Sequence, residues 1–202
     1  MAAAAIQKSI VGLGTESFEK KKRLTWGQFQ KQYLIREDFF KYEWVRGAVE
    51  KTPRTMYQDQ VFIAYNLIDF FDSLRFQKRA AGRLSLEVDT FFLKDVHRRP
   101  DLAYFSGHQL VRMARKENQV PEFVVEIISS KDQMNLVHEK MQNYRDADVK
   151  VVWHIFPNLQ EVHVYKGYSM TICKGDAVCS AAPVLPEFEM RAWEVFKAPV
   201  GD

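Results

Sequence analysis

"PEFVVEIISSKDQMNLVHEKMQNY", residues 121–144, places a carboxylate, Glu126, inside the apolar run Phe123-Val124-Val125-Ile127-Ile128. Its β-branched and aromatic residues predict a strand over 122–128. The polar stretch after it leads into a helix expected from about Asp132 to Ala147, and "VKVVWHIF" then returns to strand. A carboxylate among strand formers is costly to bury without a compensating metal, salt bridge or water. Lys140 lies on the row Leu136–Lys140–Tyr144–Ala147, in or at the edge of the stripe the helix would bury. From there its ammonium could reach back toward Glu126. Both residues also have simpler readings. Glu126 fits an exposed or salt-bridged strand position, and Lys140 fits a lysine that buries its stem and keeps its head in water.

Outward from this stretch, Thr25 is placed to cap a helix carrying Trp26, Phe29 and Tyr33. Residues 39–51 read as a hairpin turning at Arg46-Gly47, with Glu43 between Tyr42 and Trp44. Residues 56–74 read as a long amphipathic helix with Val61, Tyr65, Ile68 and Asp72 along one row and Phe62 and Leu67 beside it. In "GRLSLEVDTFFL", Leu84, Leu86 and Val88 alternate with Ser85, Glu87 and Asp89, as in a half-buried strand whose acids face solvent. "RRPDLAYFS" enters another strand through Pro100, residues 107–119 form a loop or short helix, and "EVHVYKG" is a strand. The tail "VLPEFEMRAWEVF" closes with a strand and a helical turn. This order predicts one α/β domain over 24–202, a mixed sheet flanked by helices, preceded by a flexible arm over 1–23.

The chain has 202 residues, a hydrophobic content of 47% and a formal net charge of +3, which permits nucleic acid as a partner without demanding it. Two cysteines, Cys173 and Cys179, make neither a disulfide framework nor a zinc site, and a reducing, cytoplasmic setting is expected. No apolar run approaches the roughly 20 residues needed to span a bilayer. Asp101, Glu126 and Glu43 are the acids that could share one site. Neighbouring carboxylates stay ionised together when a divalent cation lies between them, and oxygen ligands suit Mg²⁺ or Mn²⁺. His97 could contact phosphate, His154 reads as a satisfied core residue, and His138 and His163 as exposed polar positions.

"RRPDLAYFS", "PEFVVEIISS", "HEKMQNYRDADVKVVWHIFP" and "EVHVYKG", with "LTWGQFQKQYL" and "KYEWVRGAVEK" before them, resemble the Uma-type family of restriction-endonuclease-like proteins. That family lies within the PD-(D/E)xK nuclease superfamily, and the resemblance covers about residues 24–196. It implies a restriction-endonuclease-like mixed central sheet flanked by helices and a divalent-metal site. By position, Asp101 and Glu126 would be the core ligands and Glu43 the early acid. The superfamily's usual lysine stands two residues after the second acid. Ile128 occupies that place here, and Lys140 on the following helix matches a relocated lysine. Ser129-Ser130 stands where the family has Ser-Pro, and Asp148 where it has a glycine.

The expected function is a Mg²⁺- (or Mn²⁺-) dependent endonuclease acting on DNA, with Asp101, Glu126 and Lys140 catalytic, Asp101, Glu126 and Glu43 on the metal, and Arg98 and Arg99 on the substrate. One alternative is a catalytically inactive nucleic-acid-binding domain whose Arg98, Arg99, Lys78, Arg79 and Arg83 contact phosphates. Another is a homo-oligomer, such as a dimer, built on Phe39, Phe40 and Trp44.

Overall fold

The computed structural model describes residues 23–53, 58–129 and 132–199, with side chains from 61 onward in the second of these segments. The arm expected over 1–23 lies almost wholly outside the described residues. The elements are α1 (Trp26–Phe29, continued by a wider π turn over Gln30–Leu34), β1 (Phe40–Val45), β2 (Ala48–Pro53), α2 (Gln58–Phe76), β3 (Arg83–Leu86), β4 (Thr90–Leu93), β5 (Val96–Arg98) and β6 (Leu102–Phe105). They continue with α3 (Gly107–Ala114), β7 (Phe123–Ile127), α4 (Met134–Asp146), β8 (Val151–Phe156), β9 (Glu161–Lys166), β10 (Ser169–Lys174), β11 (Val178–Ala181), β12 (Leu185–Arg191) and α5 (Ala192–Val195).

The main sheet has six strands in the order β10-β9-β8-β7-β6-β3. β7 and β8 run parallel, connected through α4, and the other neighbours pair antiparallel. The sheet is therefore mixed, with helices against it, as the α/β reading requires. β7 is buried along its whole length because both of its faces are covered. One face carries Phe123, Val125 and Ile127, which share a core with Trp153, Phe188 and with Leu67 and Phe71 of α2. The opposite face carries Val124, which packs with Val152 and with Met141 and Tyr144 of α4. Strand alternation puts Glu126 on that second face, toward α4.

A second sheet, β2-β1-β5-β4, stands beside the first. Its β1 divides by the same alternation. Tyr42 and Trp44 pack with Phe29 of α1, so Lys41 and Glu43 point to the other face. The α1 start is capped as expected, with Thr25 and Gln28 forming a reciprocal capping box. Residues 96–105 pass from one sheet into the other, and Pro100-Asp101 lies at the crossing between β5 and β6.

Several expectations change. The alternating run from Leu84 to Val88 is not one strand. β3 ends at Leu86, Glu87 takes the left-handed φ of 44°, and β4 begins in the other sheet. The buried face of α2 is Ile63-Ala64-Leu67-Phe71-Leu74, while Val61 and Tyr65 are exposed. Residues 107–114 take the helical form of the two expected there, capped by Ser106 and Gln109. Strands β10 and β11 carry no signal that predicts them. β10 is exposed at both Met170 and Ile172, so it shows no half-buried alternation.

Candidate active site

Asp101 and Glu126 lie next to each other by strand register. Leu102 pairs with Val125 in the antiparallel β6–β7 ladder, so the next position outward sets Asp101 opposite Glu126 on one face. Residues so placed have Cβ atoms about 5 Å apart. Asp101 Oδ2 accepts the Ile127 N–H at 2.7 Å, and Asp101 Oδ1 accepts from Lys41 Nζ at 3.0 Å. Lys140 reaches from α4 to the same place. Its Nζ is 3.4 Å from Glu126 Oε2 and 3.3 Å from Glu43 Oε2. One helical turn on, the Tyr144 hydroxyl donates to Glu126 Oε1. Asp101, Glu126, Lys140 and Glu43 thus come together from β1, the β5–β6 crossing, β7 and α4.

Burial sets the electrostatics. It lifts the Glu126 carboxyl above the usual carboxylate range. Lys140 opposes that rise, and the charge of Asp101 adds to it. Burial would also lift Glu43, but Lys140, Arg98, Lys41 and the Arg99 N–H outweigh it and bring the group down to about 2. Burial works against the Lys41 ammonium, yet Asp101, Glu126 and Glu43 outweigh it and raise the group, so it stays charged. Burial and the Glu126 charge push the Tyr144 phenol well up, which keeps its proton available to Glu126.

The arginines depart from expectation. Arg98 is fully buried. Its Nη1 contacts Glu43 at 3.2 Å and also Glu50, and its Nε and Nη2 reach Asn143 Oδ1 at 3.1 and 2.7 Å. It neutralises acids inside the molecule and presents no surface to a phosphate. Arg99 is forked onto Asp89, at 2.9 and 2.6 Å, so Asp89 is engaged and not simply a solvent-facing acid. His97 is buried among Trp26, Phe29 and Phe91, close to Asp89 at 3.4 Å. That position also leaves it nothing to offer a phosphate. Arg79 forms an exposed pair with Glu187. Phe39 is exposed, but Trp44 belongs to the core around α1.

Lys41 and Glu50 are members of the site that the sequence reading misses. The signal for Lys41 is its spacing of two from Glu43 on one strand, which fixes both on one face. Glu50 is paired across the hairpin with Glu43. His154 pairs in register with Glu126 and is buried as expected, but its Nε2 has no hydrogen-bond partner among the described residues, so it is not a satisfied core residue.

Asp101 and Glu126 offer hard oxygen donors side by side, a donor set that suits Mg²⁺ or Mn²⁺ and not a thiophilic ion. Glu43 is held instead by Arg98, Lys140 and the Arg99 N–H. Among the described residues no group of three or more His, Cys, Asp or Glu is arranged to hold a metal. The residues present thus fit an ion held by two carboxylates, with Glu43 as part of their support.

A mixed sheet flanked by helices, with acids from adjacent strands and a lysine from the crossover helix, defines a restriction-endonuclease-like α/β fold. The chain belongs to the Uma2 family, described as "Putative restriction endonuclease", whose model matches residues 26–193. The fold is similar to that of the crystal structure of a "putative nuclease" from Anabaena variabilis, with a TM-score of 0.72 at 20% identity over 86% of this chain and 97% of that one. No curated protein matches the sequence. Among the described residues no helix is long and apolar enough to cross a membrane.

Proposed function

We propose that the chain is a divalent-metal-dependent endonuclease that hydrolyses phosphodiester bonds of DNA. The observation that carries the reading is Asp101, just before β6, lying opposite Glu126 of β7, with the Lys140 ammonium 3.4 Å from Glu126. Asp101 and Glu126 would hold Mg²⁺ or Mn²⁺. When bound, such an ion supplies Lewis-acid polarisation of the phosphoryl group and a more acidic water. Asp101 is kept in place by the Ile127 N–H, and Glu126 by Tyr144. Lys140 is held between Glu43 and Glu126, where its fixed charge can orient a water or offset charge developing on the phosphate. Arg98 and Glu43 support that lysine from behind. Family membership supports a nuclease, and the chemistry of the donor set supports the metal.

The test is cleavage of supercoiled plasmid with Mg²⁺ or Mn²⁺ against a chelator control. Nicking that needs the ion and disappears in Asp101→Ala is the expected result. Full cleavage by Asp101→Ala would sink the assignment. A non-catalytic nucleic-acid-binding role is the second reading. It is favoured by the ammonium groups already paired with both acids, Lys41 with Asp101 and Lys140 with Glu126. It predicts salt-sensitive DNA binding with no cleavage under any ion.

A further inference from the structure

The nuclease reading assigns one lysine, Lys140, and the site holds two. Lys41 is buried to 8% exposure and its Nζ lies 3.0 Å from Asp101 Oδ1. Of the three acids, Asp101 is the most open, with 18% of its side chain exposed against 5% for Glu126 and 1% for Glu43. It is therefore the acid that an ion arriving from solvent meets first. Packing does not explain a lysine at this position. A buried ion pair rarely contributes more than apolar residues of the same volume, and removing either partner leaves a buried charge. Nor does Glu43 lack neutralisation, since Arg98 and Lys140 both contact it.

Resting on the nuclease reading, we infer that Lys41 is a positioning residue that competes with a divalent cation for Asp101 Oδ1 and so sets how tightly the site takes its metal. An ammonium and a metal ion are alternative counter-charges for one carboxylate oxygen. While Lys41 occupies that oxygen, an incoming ion must displace a formed, part-buried contact. The lysine also holds the Asp101 carboxylate oriented when no ion is present, with its second oxygen on the Ile127 N–H.

The experiment is a Mn²⁺ titration of the full chain without DNA, followed by the electron paramagnetic resonance signal of the free ion. Wild type is compared with Lys41→Met, Lys41→Arg and Asp101→Asn. Lys41→Met should bind Mn²⁺ about tenfold more tightly, because the roughly 10–100-fold loss that follows removal of a residue supporting a ligand reverses in sign where that residue competes with the ion. Lys41→Arg, which keeps the charge, should stay near wild type, and Asp101→Asn should lose binding. A purely structural lysine would leave affinity unchanged or weaken it on removal, and either result overturns the inference. Should Lys41→Met fail to fold, Lys41→Gln makes the same comparison, since it can donate to Asp101 without a charge. Unchanged affinity in a chain whose wild type cleaves DNA overturns the role of Lys41 and leaves the nuclease reading standing. No Mn²⁺ binding and no cleavage in wild type overturns both.

Discussion

The Asp101 carboxylate accepts the Ile127 N–H at 2.7 Å, so the acid at the entrance of β6 is fixed against the strand that carries Glu126. One oxygen of Asp101 binds that backbone and the other binds Lys41. The acid is thus a brace between β1, β6 and β7 as well as a candidate ligand. The two roles can be separated. Asp101→Asn keeps an oxygen and loses the charge. It should fold, lose metal-dependent cleavage, and fall in stability by about 1–3 kcal/mol, because Lys41 loses its contacting counter-charge and keeps only the charges of Glu126 and Glu43 in a site that water only partly reaches. Urea denaturation and plasmid nicking on the same preparation check this. Cleavage by Asp101→Asn at the wild-type rate would remove Asp101 from the chemistry.

Arg98 gives the clearest contrast between a binding and a structural arginine. Removing it takes one of two contacting cations from Glu43 and the contacting cation from the part-buried Glu50, and breaking a buried pair costs about 3–5 kcal/mol. Arg98→Ala should therefore be strongly destabilised, with a large drop in denaturation midpoint. Arg98→Lys should recover only part of the loss, because an ammonium cannot span Asn143 and both acids as the fork does. A stable Arg98→Ala with weakened DNA binding would restore Arg98 to the surface role that its place beside Arg99 suggests in the sequence.

Much of the fold is legible in the sequence because it rests on local signals. The composition of β7, the helical stripe of α4 and the Thr25 cap each announce their own element. The residue pattern names Asp101, Glu126 and Glu43 as acids that could share a site, and only the family resemblance assigns Asp101 and Glu126 as the pair, since strand pairing is set by long-range contacts. The misreadings have one cause. Leu84 to Val88 keeps a strand's alternation, yet the chain changes sheets at Glu87, and a period of two cannot report which sheet a residue joins. Arg98 reads as a phosphate contact because burial of an arginine depends on partners, here Glu43, Glu50 and Asn143, that lie 45 or more residues away in sequence. Lys41 escapes notice because Glu43 reads as an acid and not as a marker of which face of β1 turns inward.

Stability should fall in acid for two reasons that act over different pH ranges. Burial takes the His154 imidazole from its ordinary 6.5 down to about 3. Glu43, buried but surrounded by Lys140, Arg98 and Lys41, falls from 4.5 to about 2. Both values are depressed in the fold. Each group's stabilisation is complete above its unfolded value and is lost as pH drops toward its folded value. His154 therefore acts between pH 6.5 and about 3, and Glu43 between 4.5 and about 2. Each loss is on the order of 3–5 kcal/mol at most. His154→Leu should flatten the decline of melting temperature between pH 6.5 and 4.5, where Glu43 contributes little. A decline over that interval as steep in His154→Leu as in wild type would contradict the burial of a neutral His154.

Glu126 behaves in the opposite sense. Burial raises it, and Asp101 and Glu43 add repulsion that Lys140 and Lys41 only partly offset. A carboxyl raised in the fold contributes stability at low pH, which is lost as pH rises through its folded value. Keeping Glu126 ionised at neutral pH thus costs the fold free energy. Glu126→Gln removes the charge and keeps an oxygen for the Tyr144 hydroxyl, while Lys140 retains Glu43 as its partner. The variant should be as stable as wild type or more so, by up to about 1 kcal/mol, and should neither bind Mn²⁺ nor cleave DNA. If Glu126→Gln instead unfolds more readily than wild type at neutral pH, then Glu126 is held chiefly as the structural partner of Lys140. A purely structural salt bridge gives that loss of stability, and a strained ligand does not.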